Sequence, residues 1–183
     1  MAFVSDTVLD GALTVAQNSD QIIVCSALPA DYYEACDPPV WASGTYAVGD
    51  VVKPSTFNGL VAKCTTAGTT GTVEPTWPTA AGATVTDGTA VWTMVSNYGL
   101  ASATLGTADF TISTDTSIPG RKLTIAAKNA IPIYYTGASA YVAVVSNANK
   151  ALRLVFNETS GQTLYSGNTV NIPSAYYALV YVS

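Results

Sequence analysis

Apolar residues at the start of the chain follow a helical period and then abandon it. Behind Ser5-Asp6-Thr7, which offers an N-cap, Val8, Leu9, Ala12, Leu13 and Ala16 recur on one face. The spacing predicts one short amphipathic helix over about residues 6–17, ended near Asn18, and it is the only helix the pattern supports. The β-branched run Gln21–Ser26 predicts a strand broken by Pro29. Residues 27–40 then read as a loop, in which Pro38-Pro39 forms a stiff, extended spacer.

From Trp41 onward the pattern becomes short alternating runs between turn pairs. Ala47–Lys53 follows a turn at Ser43-Gly44, and Leu60–Thr66 follows the hairpin signal Asn58-Gly59. Ala83–Thr86 and Thr89–Val95 flank a second hairpin signal, Asp87-Gly88, and Gly68–Pro78 is a Gly/Thr/Pro-rich loop. After Asn97, strands are predicted at Asp109–Thr114, Arg121–Ala127, Ala140–Ser146, Leu152–Asn157 and Ala175–Val182. Their intervals of roughly 10–20 residues are those of an antiparallel sandwich or barrel. The runs from Tyr141 to Val145 and from Tyr176 to Val182 have the look of strands buried on both faces, or half-covered by a neighbouring subunit.

The expected fold is therefore mainly β: an antiparallel β-sandwich or barrel host domain with one short N-terminal helix, plus an inserted small all-β module. Residues 1–37 and 98–183 make the host, and 38–97 the insert. Within the insert, 41–95 holds all three tryptophans, Trp41, Trp77 and Trp92. So small a unit has few other bulky side chains, and Leu60, Val61, Val73, Val85, Val91 and Met94 would hardly fill it alone. Trp92, in an alternating strand, is expected in the core, and Trp41 where the chain enters the module. Trp77, in a loop between Pro75 and Pro78, is the ring most open to solvent. Trp77, Trp41 and Tyr46 are thus the candidate ligand-binding residues, as a stacking platform for sugar rings.

Composition narrows the function. Charged residues are 10% of the chain, against a typical quarter or so. The net charge of −5 argues against a nucleic-acid partner held through phosphates. Residues 1–37 carry Asp6, Asp10, Asp20, Asp31, Glu34 and Asp37 without a lysine or arginine, which suits either a solubilising surface or a basic partner. Neither a secretory signal nor a membrane span is expected, since no apolar run approaches the roughly 20 residues a spanning helix needs. Cys25, Cys36 and Cys64 cannot all pair with one another. Cys25 in an apolar run reads as a small buried hydrophobe, whereas Cys36 and Cys64 either bridge host and module or stay free.

The chain has no histidine, which excludes a Ser-His-Asp triad or a Cys-His dyad, and neither a zinc site nor a phosphate loop can be assembled from its motifs. Its acids fall at turns and at the helix start, where they have structural work: Asp87 in a hairpin, Asp50 after Gly49, Asp6 near a cap. The expectation is a protein that is not an enzyme and carries no cofactor or metal.

Two resemblances rest on these residues. The pattern Trp41…Tyr46-x-x-Gly49-Asp50-x-Val52, Gly59…Cys64-x-x-Ala67-Gly68-Thr69, Glu74-Pro75-x-Trp77-Pro78, Gly82-x-Thr84-Val85-x-Asp87-Gly88 and Trp92 resembles a small β-module of tailed-bacteriophage structural proteins. Such modules are distantly similar to chitin-binding modules of the carbohydrate-binding type. The strand Leu60–Cys64 departs from those relatives in having Val61 and Ala62 where an aromatic is common. The host segments Phe3–Asp10, Ile22–Pro29, Pro119–Thr124 and Ser166–Pro173 resemble a family of short virion-associated phage proteins, with the insert standing in that family's short linker.

The resemblance implies a virion structural protein assembled in a bacterial host cytoplasm. It would dock on other virion proteins, above all the major capsid protein, as a lattice-bound or oligomeric decoration with the insert projecting outward. A carbohydrate-binding adhesin of a tail tip or fibre, contacting host surface glycans, and a neck or collar component are the competing expectations.

Overall fold

The computed structural model describes residues 5–115 and 119–180. Helix α1 (Asp6–Gln17) leads into strand β1 (Gln21–Cys25) and a one-turn helix α2 (Tyr32–Ala35). The insert contributes β2 (Thr45–Tyr46), β3 (Val51–Val52), β4 (Leu60–Thr66), β5 (Gly68–Thr69), β6 (Thr84–Asp87) and β7 (Ala90–Ser96). Then follow β8 (Gly99–Thr104), β9 (Phe110–Asp115), β10 (Gly120–Ile125), β11 (Lys128–Pro132) and β12 (Gly137–Ala138). The chain closes with β13 (Tyr141–Ser146), β14 (Ala151–Asn157), β15 (Thr163–Leu164), β16 (Thr169–Ile172) and β17 (Ala175–Val180). The fold is mainly β, its sheets are antiparallel, and α1 is the one substantial helix.

A four-stranded sheet, in the order β14-β13-β1-β8, lies at the centre, and its alternation sorts side chains between two cores. Ile22, Val24, Val142 and Val144 enter one, shared with α1 and the β17-β10-β9 sheet. Ile23, Cys25, Ala143 and Val145 enter the other, shared with α2 and with Val51 and Val61 of the insert. Burial on both faces explains why Gln21–Cys25 and Tyr141–Val145 read as continuous apolar runs. The insert's own sheet, ordered β3-β4-β7-β6, repeats the device. Its Val51 and Val61 face the host, whereas Val52, Leu60, Ala62 and Cys64 face a third core around Trp92. Val61 is fully buried at this junction.

Polar ties fix the junction. Lys53 Nζ meets Asp37 Oδ1 at 2.6 Å, and the other Asp37 oxygen accepts from Ser102 Oγ at 2.8 Å. Asn97, where the chain returns to the host, donates Nδ2 to the carbonyls of Tyr33 and Cys36. Phe57 of the insert stacks on Tyr135 of the host, with centroids 3.9 Å apart.

Several expectations require correction. Ser5 sits at the N-cap of α1, but its side chain makes no capping bond; the helix is instead fastened by Arg121, which grips both oxygens of Asp10 at 2.6 and 3.0 Å. The stretch 27–40 is not all loop. Asp31 caps α2 by accepting from the N–H groups of Tyr33 and Glu34, and Tyr32 and Ala35 are buried beneath it. Ala47–Lys53 pairs as a strand only at Val51–Val52, because Asp50 closes a turn back onto the N–H of Ala47 and Gly49 adopts φ +92°. Val73 is 78% exposed and adds nothing to the insert's core. The sequence pattern predicts none of strands β2, β5, β8, β11, β12, β15 and β16. Within the chain β17 is not buried on both faces: it is an outer strand with Tyr176, Tyr177 and Val180 exposed, and residues 181–182 of that expectation lie outside the described residues. Among the described residues, no helix is long and apolar enough to cross a membrane.

Candidate functional site

Strand β7 places Trp92 at the centre of the insert, where it is fully buried between β4 and β6. Tyr46 meets it edge-on at 4.9 Å and Trp77 at 6.0 Å, with interplanar angles of 70° and 78°. Trp41 packs into the same cluster. The structure thus brings the three candidate residues Trp77, Trp41 and Tyr46 together, each half-buried as the outer layer of one aromatic core. Edge-to-face packing of this kind stabilises beyond area burial alone, by about 0.5–1.5 kcal/mol per pair.

Each ring also has its polar atom tied inward. Tyr46 Oη donates to the Ala42 carbonyl at 2.7 Å, and Trp41 Nε1 donates to Asp87 Oδ2 at 3.0 Å. The other Asp87 oxygen accepts from Gly71 N–H at 2.8 Å, so one buried carboxylate joins the segment at Trp41 to the loop at Gly71. That loop lies hard against the hairpin: a Cβ on Gly88, which adopts φ +63°, would stand 2.2 Å from the Thr69 carbonyl oxygen.

Trp77 is held differently. Its Nε1 donates to Glu74 Oε1 at 2.6 Å, and the same oxygen accepts from Ser55 N–H at 2.9 Å. Partial burial pushes the Glu74 carboxyl up, but the hydrogen bonds from Ser55 and Trp77 outweigh it and hold the group below the usual carboxylate range. A depressed folded value means this clamp stabilises at neutral pH and weakens as pH falls through that value. Acidification below the ordinary carboxylate range should therefore shift Trp77 fluorescence, and Glu74→Gln should abolish the shift. A titration identical in wild type and variant would refute the clamp.

The candidate residues differ in what they face. Tyr46, with Thr45, Asp50, Val51 and the entering prolines Pro38 and Pro39, lines a groove of about 340 Å³ whose other wall is host: Tyr32, Asp37, Asn147 and Lys150. Tyr32 Oη donates to Asn147 Oδ1 at 2.8 Å, Lys150 Nζ lies 5.7 Å from the Tyr32 ring centroid, and Asp50 stands 4.0 Å from Lys150 Nζ. This mixture of hydroxyl, amide, carboxylate and ammonium beside tyrosine and proline faces suits a polyol better than an apolar ligand. Sequence reasoning missed Asn147 and Lys150. One signal was available, in that the polar turn Asn147-Ala-Asn-Lys150 joins two strong strands.

Five of the six acids of residues 1–37 make defined bonds within the chain. Asp10 binds Arg121, Asp20 accepts from Asn147, Asp31 caps α2, Glu34 accepts from Ala30 N–H and Asp37 binds Lys53. All three thiols are free and buried, Cys36 beneath α2 and Cys64 in the Trp92 core. Burial pushes Cys25 and Cys36 up to about 12, far from the thiolate form a nucleophile needs. Among the described residues, no three His, Cys, Asp or Glu side chains group as a metal site.

No protein-family model matches the chain, and neither a curated protein nor a solved structure matches it.

Proposed function

We propose that this chain is a structural protein of a tailed-phage particle, whose host domain docks on the capsid surface through protein contacts and whose insert serves as an accessory module facing outward. The observation that carries the reading is the character of the host's free surface. Val8 and Val15 on α1 and Tyr176, Tyr177 and Val180 on β17 are exposed, while the charges of Arg121 and Asp10 are bound to each other. Uncharged aromatic and aliphatic surface is what protein–protein interfaces use at their centres. The many ties between insert and host support it further, since they hold an accessory module in one orientation on its carrier. In this reading no catalytic step belongs to the chain, and its partners are the major capsid protein and other virion proteins.

A second reading, a glycan-binding adhesin of a tail tip or fibre, is favoured by the groove beside Tyr46 and by the Tyr46–Trp77–Trp92 cluster. Localisation by electron cryomicroscopy of the particle, with copy number measured in the same preparation, separates the two. Decoration requires many copies on the head lattice. Density at the tail tip in a few copies overturns decoration and favours the adhesin, and density at the neck overturns both.

A further inference from the structure

Strand β17 is an edge without a guard. It pairs with β10 over six consecutive residues, Gly120↔Val180 through Ile125↔Ala175, with no bulge, and no other described strand lies on its far side. Every second N–H and C=O along its outer side is therefore left without a ladder partner among the described residues. Natural edges are usually blunted by lysines, prolines, bulges or covering elements. The outer edge of the central sheet follows that rule: β14 slips register around Arg153, and both helices touch it. Among the described residues β17 has none of these devices. After Pro173 the sequence runs Ser-Ala-Tyr-Tyr-Ala-Leu-Val-Tyr-Val-Ser without a charge or another proline.

The strand is also self-complementary. Register and alternation place Tyr177 and Leu179 on the core face with Leu123 and Arg121, and Tyr176, Ala178 and Val180 on the outer face with Thr124, Lys122 and Gly120. A two-fold axis normal to the sheet and running midway between the two copies' Ala178 residues keeps both faces matched. It sets Tyr176 opposite Val180 of a second copy, Tyr177 opposite Leu179, and Ala178 opposite itself. Aromatic against branched aliphatic is a favourable cross-strand pairing, and the smallest side chain falls where the two copies meet most closely. No like charges oppose each other anywhere along this strip.

We propose that β17 is a homotypic interface, at which two copies of this chain pair antiparallel about Ala178 and join their three-stranded sheets into one continuous sheet. This is β-augmentation with a second copy as the added strand, and its isologous geometry closes at a dimer. It stands independently of the chain's place in a phage particle.

Sedimentation of the full-length protein over a concentration series tests it, together with hydrogen exchange at the β17 amides. Wild type should reach twice the 18.9 kDa chain mass, and protection of residues 175–180 should rise with concentration. Ala178→Lys and Ala178→Glu each place like charges on the axis, so either alone should remain monomeric with an unchanged far-UV spectrum. Because Lys122 lies opposite Ala178 within the sheet, the glutamate variant keeps a favourable neighbour even if the lysine variant is strained. An equimolar mixture of the two should recover the dimer mass. A wild type monomeric at every concentration, a dimer that persists in both variants, or a mixture that stays monomeric would each overturn the pairing.

Discussion

Trp92→Ala should unfold the insert and cost about 3–5 kcal/mol, the range for emptying a large aromatic site in a packed core. Trp92 is fully buried, and both Tyr46 and Trp77 rest their edges on it. Removing it strips the backing from two half-buried rings at once, which the insert's few aliphatic residues cannot replace. The damage should spread, because β4 carries Ala62 toward Trp92 and Val61 toward the host sheet, so the third core and the junction share one strand. Urea unfolding followed by far-UV circular dichroism and by tryptophan fluorescence should give one coincident, weakened transition. Two separated transitions would show that the insert melts without the host. Trp92→Phe supplies a finer comparison. Trp92 Nε1 is buried without a hydrogen-bond partner, so phenylalanine removes an unsatisfied donor while keeping most of the ring. Its cost should fall well below that of alanine, and equal costs would mean that the indole packs through more than shape.

The parts of this fold that the sequence disclosed are those where local pattern and tertiary setting agree. Helix α1 occupies Asp6–Gln17 and β4 occupies Leu60–Thr66, as the periodicity requires, although Asn58-Gly59 closes no tight hairpin, because residues 53–59 all lie in the connection between β3 and β4. The Asp87-Gly88 hairpin does form, with Gly88 at positive φ. What escaped was set by partners distant in sequence. β8 is built from Gly, Leu, Ala, Ser and Thr, which lack a strong β signature, and it becomes a strand because β1 offers it an edge. Helix α2 has a readable start in Asp31-x-x-Glu34, but four residues bury too little surface to announce themselves, and it persists because Tyr32 and Ala35 plug the second core. Tyr176–Val180 shows the converse case. Its apolar run is as strong as that of β13, yet only β13 has neighbours on both sides, because periodicity reports what a strand can bury and not whether a partner is present.

For the candidate site, the aromatic residues were legible by type and their assembly was not. Trp41, Tyr46, Trp77 and Trp92 are separated by long, turn-rich stretches, and their convergence depends on which loop folds over which hairpin. The tie that decides it is Asp87, which the sequence identified only as a turn residue. The groove beside Tyr46 was invisible for the same reason: its wall is completed by Asn147 and Lys150, far along the chain in the host.

Asp87→Ala should loosen that assembly and destabilise the protein by about 3 kcal/mol, the order expected for two buried hydrogen bonds to one carboxylate. Trp41 Nε1 and Gly71 N–H both lose their acceptor, and each becomes a donor with reduced access to water. Asp87→Asn should cost less than alanine, because its amide keeps one oxygen for one of these donors while turning an N–H₂ against the other. Gly88→Ala reaches the same structure by steric means, since its Cβ would collide with the Thr69 carbonyl and force the 68–71 segment off the hairpin. All three variants should therefore share a signature: lowered thermal stability and increased quenching of tryptophan fluorescence, traceable to Trp41 because Trp41→Phe removes the increase. If Asp87→Ala instead melts within half a kcal/mol or so of wild type, the ordinary scatter of surface substitutions, the loop is held without the carboxylate. The aromatic cluster must then be stabilised by Trp92 packing alone.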